Sequence, residues 1–235
     1  MDALLNFFST YLFLLSALYF LFWSVVFLTS FRKHKVVQKK IFIASLAPAT
    51  IFPFVEQITL TDWWSPVFIS DTFLHIEDVL FGFGISGTTF GIYFWVSRGV
   101  RDKIERQAFF SILYKVIILM TAMVITFVPF YLLNTSSFYT GTLCMVFLSL
   151  CVFMRVPTMI TSAVITGILL ILIIVPGYFV ATYLHPGWIQ EYWTLTGWPG
   201  YRLLTIPVGE YVYYFLSGLS LTAFMELLFA KRPER

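Results

Sequence analysis

The stretch "HIEDVLFGFGISG", His75 to Gly87, admits two incompatible readings. Its second half, with Gly82, Gly84 and Gly87, has the GxGxxG spacing of a dinucleotide-binding loop. Its first half sets two carboxylates, Glu77 and Asp78, at the head of an apolar run. Context decides between them. A dinucleotide loop needs a strand before it and a helix after it within a βαβ unit. Here the glycines fall in the middle of an apolar run of about 20 residues, the length of a membrane helix, where no phosphate loop can form. Gly84, Gly87 and Gly91 are read instead as a small-residue face that lets helices approach closely.

The rest of the chain agrees with a membrane reading. Of 235 residues, 59% are hydrophobic and 11% charged, against about a quarter charged in a soluble domain. So much apolar surface exceeds what one core can bury and must face lipid. Seven apolar runs have the character of spanning helices: Leu5–Thr29, Ile41–Leu60, Phe73–Val96, Phe109–Leu133, Ser137–Met154, Thr158–Leu184 and Thr205–Ala230. The first run is long and lacks a small-residue cleavage site after it, so it is expected to remain as a span. Pro48, Pro53, Pro129 and Pro176 lie inside runs and predict kinks.

Basic residues set the orientation. Arg32, Lys33, Lys35, Lys39 and Lys40 lie in the first loop, Arg98, Arg101, Lys103 and Arg106 in the third, and Arg155 in the fifth. Lys231, Arg232 and Arg235 are in the tail, which places 13 of 15 Lys and Arg on one side. By the positive-inside rule that side is cytoplasmic, with the N-terminus outside and the C-terminus inside. Lys115 and Arg202 are the exceptions. The net charge of +3 thus reflects topology and implies no nucleic-acid partner. The expected location is the plasma membrane, multi-pass. Cys144 and Cys151, seven apart on one helix, are separated by about 10.5 Å of rise, too far for a mutual disulfide. With three scattered histidines they make no metal site.

A repeat organises the chain. Leu74–Phe83, "LHIEDVLFGF", aligns with Ile206–Phe215, "IPVGEYVYYF", at an offset of 132 residues. Each opens an apolar helix from the outer side after a loop containing tryptophan: Trp63 and Trp64 in one, Trp188, Trp193 and Trp198 in the other. The fold class is therefore an all-α polytopic membrane protein with seven helices. Two parallel three-helix repeats, residues 1–107 and 137–235, are joined by a linking helix at 108–136, and such repeats build binding sites between pseudo-symmetric halves.

Asp78 and Glu210 are equivalent in the repeat. Glu77 and Asp78 point about 100° apart on a helix and need not face one cavity. Pseudo-symmetry would bring these acids around one outward-facing cavity. Acids in a first helical turn suit the helix dipole, and Pro207 also suits a first turn. Acids within apolar helices are equally a mark of function. Glu56, in "FPFVEQ", lies near the same face, whereas Glu226 is expected at the inner interface. Interfacial belts account for the loop tryptophans by default. Tyr211, Tyr214 and Phe215 beside Glu210 form an aromatic cluster suited to shielding a cation. Asn134-Thr135-Ser136 has the N-glycosylation pattern.

The segment "WTLTGWPGYRLLTIPVGEYVYYFLSGL", Trp193 to Leu219, resembles the second half of the integral-membrane lycopene cyclases. "DTFLHIEDVLFGF", Asp71 to Phe83, resembles the matching motif of the first half, so the chain looks like a fused two-repeat member. The resemblance implies a redox-neutral ring closure of a linear carotenoid end group by way of a carbocation. It makes Glu77, Asp78 and Glu210 candidate acid and base residues. Glu56, His75, Tyr211, Tyr214 and Phe215 become candidates for substrate contact. The lipophilic carotenoid and membrane lipid are the implied partners, with self-association or other carotenoid-pathway enzymes left open. No cofactor is expected, and a flavin or reduced-nicotinamide requirement stays open. His75 stands where the first motif usually has proline, and Gly209 where the second usually has its first acid. A non-catalytic carotenoid-binding protein or a transporter is the alternative. A retinal protein is disfavoured because the last helix holds no lysine before Lys231.

Overall fold

The computed structural model describes residues 19, 23, 35–66, 68, 75–108, 110–194 and 200–229. The first expected span, Leu5–Thr29, lies outside these residues apart from Tyr19 and Trp23, which are helical. The other six expected runs each coincide with a helix. These are α1 (Lys35–Thr59), α2 (Ile76–Val96), then a short α3 (Arg101–Gln107), α4 (Ile112–Leu133), α5 (Ser137–Phe153) and α6 (Ile160–Leu184). A short α7 (Trp188–Tyr192) and a two-stranded ribbon, β1 (Arg202–Leu203) and β2 (Ile206–Pro207), lead into α8 (Val208–Phe229). Among the described residues, five helical segments are long and apolar enough to cross a membrane; α5, with 17 residues, is shorter. At 1.5 Å per residue α5 reaches about 25 Å, against roughly 30 Å of hydrocarbon.

Local chemistry explains several ends. Ser111 Oγ accepts from the Tyr114 amide at 3.2 Å, capping α4. Asn134 closes that helix in the left-handed region at φ 50°, its amide donating to the Pro129 carbonyl. The residue of the glycosylation pattern is thus also a helix stop. α1 runs through Pro48 and Pro53, α4 through Pro129 and α6 through Pro176, as membrane helices tolerate.

Two compact units share these elements. One comprises residues 1–91 and 172–208, the other 92–171 and 209–235, so each draws on both halves of the sequence. In the first unit α1 and α2 run antiparallel and close. A Cβ on Gly82 would lie 2.9 Å from Phe52 Cβ, and one on Gly87 would meet Trp23 and lie 2.9 Å from Ser45 Oγ. Moving down α1 from Phe52 to Ser45 is moving up α2 from Gly82 to Gly87, which fixes the antiparallel sense. The glycine reading of α2 holds at Gly87, and Gly82 is a second close approach. Around this crossing Trp23 packs edge-on to Phe83 at 4.8 Å and Tyr19 to Phe81 at 5.3 Å.

The loop tryptophans of this unit are not an interfacial belt. Trp63, Trp64, Trp188 and Trp193 are all buried. Trp193 meets Trp64 at 5.4 Å and Trp188 at 4.9 Å, and Tyr178 of α6 closes the cluster. The Ser65 amide donates to the Tyr192 carbonyl at 2.7 Å, and Trp188 Nε1 donates to Thr182 Oγ1 at 2.9 Å. Trp64, Trp188 and Trp193 have ring partners inside the protein and Trp188 also a hydrogen-bond partner, so they form a core instead of reaching for the headgroups.

In the second unit α6 and α8 cross at glycine. A Cβ on Gly218 would strike the Gly167 Cα, and one on Gly167 would lie 2.8 Å from the Phe215 carbonyl oxygen. At one end of this unit the basic residues gather. Arg155 lies over the Tyr114 ring at 5.0 Å, and Lys115 Nζ donates to the Leu228 carbonyl at 3.2 Å. Lys115, an exception to the charge pattern, therefore satisfies a carbonyl in the last turn of α8.

Candidate functional site

α2 begins at Ile76 and α8 at Val208, separated by the same 132 residues as the sequence repeat. Glu77 and Asp78 are the second and third residues of α2; Gly209 and Glu210 hold those places in α8. Side chains at these positions stand at the positive end of the helix dipole, beside amides without an intrahelical partner.

All three acids are buried: Glu77 is 0% exposed, Asp78 2% and Glu210 5%. Their burial within apolar helices needs a reason, since a surface cap would serve the dipole equally well. Asp78 Oδ2 accepts no hydrogen bond among the described residues. A buried oxygen in that condition is costly unless a ligand or water reaches it.

Within the first unit the acid head has further polar company. His75 precedes α2, is itself buried, and stacks on Phe68 with ring centroids 3.5 Å apart and planes within 5°. Glu56, half-buried near the end of α1, accepts from Thr59 Oγ1 at 3.1 Å. Glu56 lies one turn beyond Phe52 and Asp78 one turn before Gly82. The antiparallel crossing therefore puts Glu56 and the α2 acids at the same end of the α1–α2 pair.

Within the second unit Glu210 heads a helix whose next residues are aromatic. Tyr214 is buried and meets Tyr213 edge-on at 5.3 Å; Tyr211 is half-buried. Phe215 lies against Gly167 at the α6–α8 crossing, so its ring contributes to helix packing. Glu77, Asp78, His75 and Glu56 thus belong to one unit, and Glu210, Tyr211, Tyr214 and Phe215 to the other.

The other end of α8 holds a further buried acid. Glu226 is 2% exposed and forked onto Arg101. Arg101 Nη1 donates to Oε1 and Nη2 to Oε2, the second at 3.3 Å. The guanidinium also lies 4.7 Å from the Phe94 ring centroid and 5.9 Å from that of Tyr93. Burial alone would lower the pKa of Arg101, but Glu226 and Tyr93 outweigh it and hold the guanidinium above its ordinary value. The sequence did hold a signal, an acid deep in an apolar helix that requires a cation. Nothing in the spacing named Arg101 among several basic residues.

Comparison with known proteins bears on the second half of the chain. Residues 136–228 match the family model described as lycopene cyclase. No curated protein and no solved structure matches the chain. The matched region runs from the start of α5 to the last turn of α8, takes in Glu210 with Tyr211, Tyr214 and Phe215, and leaves out Glu77 and Asp78. Through residues 136–228, the chain is similar to the lycopene cyclase family.

Proposed function

We propose that this chain is a carotenoid end-group cyclase that closes a six-membered ring on a linear carotenoid such as lycopene. The observation that carries the reading is Glu210: a carboxyl buried in the first turn of α8, inside the family-matched region, with aromatic neighbours. A carboxylic acid protonates the terminal double bond of the end group and leaves a tertiary carbocation. The next suitably placed double bond attacks that cation and forms the ring bond. A carboxylate then takes a proton from the carbon next to the new cation and restores an alkene. One proton enters and one leaves, no electrons are transferred overall, and no redox cofactor is needed for balance.

Glu210 and its repeat equivalent Asp78 are assigned the acid and base work, with Glu77 as an auxiliary carboxylate. Acid–base groups of this kind contribute about 10²–10⁴-fold to rate. Tyr211 and Tyr214 supply ring faces to the cation, and Glu56 and His75 line the approach. Seven membrane helices in two parallel repeats, with the basic loops facing the cytoplasm, are the proposed setting in the plasma membrane. The gathering of Arg101, Lys115 and Arg155 at one end of their unit supports that orientation.

The test is expression in cells that accumulate lycopene, followed by pigment analysis. Cyclic carotene is expected; linear carotene alone, with the protein folded in the membrane, refutes the reading. Carotenoid retained on the purified protein without turnover would support the second reading, a non-catalytic binding protein. Gly209 favours that reading, because a second acid is missing from the head of α8.

A further inference from the structure

The ribbon that delivers the chain into α8 has unusual chemistry for an exposed turn. β1 and β2 pair Arg202 with Pro207 and Leu203 with Ile206, leaving a two-residue turn, Leu204–Thr205. Both turn residues have positive φ, 51° and 72°. Turns of this kind favour asparagine, aspartate or glycine, which tolerate the left-handed region. A leucine and a β-branched threonine do not. Water gives no reason to choose them.

Three of the exposed residues of the ribbon are aliphatic or aromatic. Tyr201 is 71% exposed, Leu203 55% and Leu204 61%, while Ile206 and Pro207 are buried. Tyr201 and Leu203 share one face of the strand, and Arg202 takes the other. With the Gln190 amide oxygen turned toward it, Arg202 Nη1 donates to Gln190 of α7 at 3.0 Å. The one charge of the ribbon, itself exposed, thus has a partner in α7. The Val208 amide donates to the Tyr201 carbonyl at 3.0 Å and closes the ribbon's base. The next residues are α8, a candidate membrane span. A self-paired ribbon with an uncharged rim of Tyr, Leu and Leu, joined without a spacer to a span, stands at the level of the bilayer boundary.

We propose that the ribbon Tyr201–Pro207 is a lipid-seated element: Leu203, Leu204 and Tyr201 enter the headgroup–acyl boundary at the face where α8 begins. Lipid around Leu204 compensates the left-handed turn, and the anchor sets the depth at which Glu210 starts its helix. This rests on the membrane reading of the chain and is independent of its catalytic activity.

The test uses the full chain with Cys144 and Cys151 replaced by alanine, in vesicles of phosphatidylcholine and phosphatidylglycerol. A nitroxide is attached at Leu204→Cys, or at Leu203→Cys if the first variant does not fold. Collisions with oxygen and with a water-soluble nickel chelate report its surroundings. Lys103→Cys on α3 supplies the aqueous reference and Met123→Cys, exposed on α4, the hydrocarbon reference. The expected result is a loss of chelate collisions and a gain of oxygen collisions relative to Lys103, corresponding to a depth of roughly 5–10 Å.

A Leu204 label that behaves as Lys103 does, with Met123 in hydrocarbon, overturns the proposal and leaves the membrane reading intact. A Met123 label in water overturns both. A Leu204 label shielded from both reagents and broadened by a second nitroxide would mean that another copy of the chain covers the tip, which also overturns it. With the label at Leu203, the double change Leu204→Asn and Thr205→Gly supplies preferred turn residues and removes the leucine. The label is expected to move toward water; an unchanged depth overturns the proposal.

Discussion

The heads of α2 and α8 are the same device with one part changed. Both helices open at equivalent residues, and both carry a buried acid in the third place, Asp78 and Glu210. In the second place α2 has a buried glutamate and α8 a buried glycine. The acid in the third place is common to the two heads, and the acid in the second place is present in α2 alone. The far end of α8 adds a fourth buried acid, Glu226, with a guanidinium forked onto it. One helix therefore carries an acid held by a permanent cation and another heading an aromatic run.

The strongest way to break this comparison is to neutralise the shared acids. Glu210→Gln and Asp78→Asn keep shape and remove the transferable proton. Each is expected to lower ring formation in lycopene-accumulating cells by about 10²–10⁴-fold with membrane expression intact. A fully active Glu210→Gln variant would remove that residue from the chemistry. A large loss for Glu210 with none for Asp78 would show that the two heads are not equivalent.

Glu226 should respond in the opposite sense. Arg101→Ala leaves a buried carboxylate without its cation, a change worth about 3–5 kcal/mol in comparable buried pairs. The expected outcome is a lower unfolding midpoint in detergent and reduced accumulation, with pigment formation falling only in proportion to folded protein. Replacing both partners, Arg101→Met with Glu226→Leu, should recover much of the stability, because no unpaired charge remains. A stable single variant would contradict the structural role given to the pair.

The helix bodies also differ. Gly218 corresponds to Ser86 by the repeat offset, yet the two sites are built differently. Ser86 Oγ donates to the Gly82 carbonyl at 2.6 Å, whereas a Cβ on Gly218 would meet Gly167 backbone. Gly218→Ser, which copies α2 into α8, is therefore expected to destabilise by about 1–3 kcal/mol through overpacking. The unfolding midpoint reads it out, and no change would mean that the crossing relaxes more easily than its backbone contact implies.

The membrane helices were legible because their signal is additive over some twenty residues, as at Ile112–Leu133, where the expected Phe109 start differs by three positions. The acids at the heads of α2 and α8 were legible because the same pattern occurs twice. The tryptophans were misjudged because burial depends on partners distant in sequence: Trp64 is covered by Trp193, and no local pattern encodes that pairing. The partner of Glu226 was illegible for the same reason, lying 125 residues away. The ribbon before α8 was invisible to hydropathy, since "YRLLTIP" reads as the approach to an apolar run. Its left-handed turn at Leu204 and Thr205 contradicts residue preference, and each such residue costs on the order of 1–2 kcal/mol. Full burial of a leucine returns about 1.5–3 kcal/mol.

The smallest effect is expected where the two heads differ. Glu77 is fully buried, and that would ordinarily argue for a role as large as that of Asp78. The repeat argues otherwise, because its counterpart Gly209 offers no carboxyl, and α8 still carries the family pattern. Glu77→Gln retains the volume and the hydrogen-bonding capacity and removes only the ionisable proton. Its loss of ring formation is expected to be roughly tenfold or less, below the range for a principal acid–base residue. Asp78→Asn and Glu77→Gln measured in parallel separate two arrangements. If the larger loss follows Asp78, the third position of each helix does the proton transfer and Gly209 is a tolerated variation. If it follows Glu77, the acid that α8 lacks is the working one, and α2 alone holds the catalytic head.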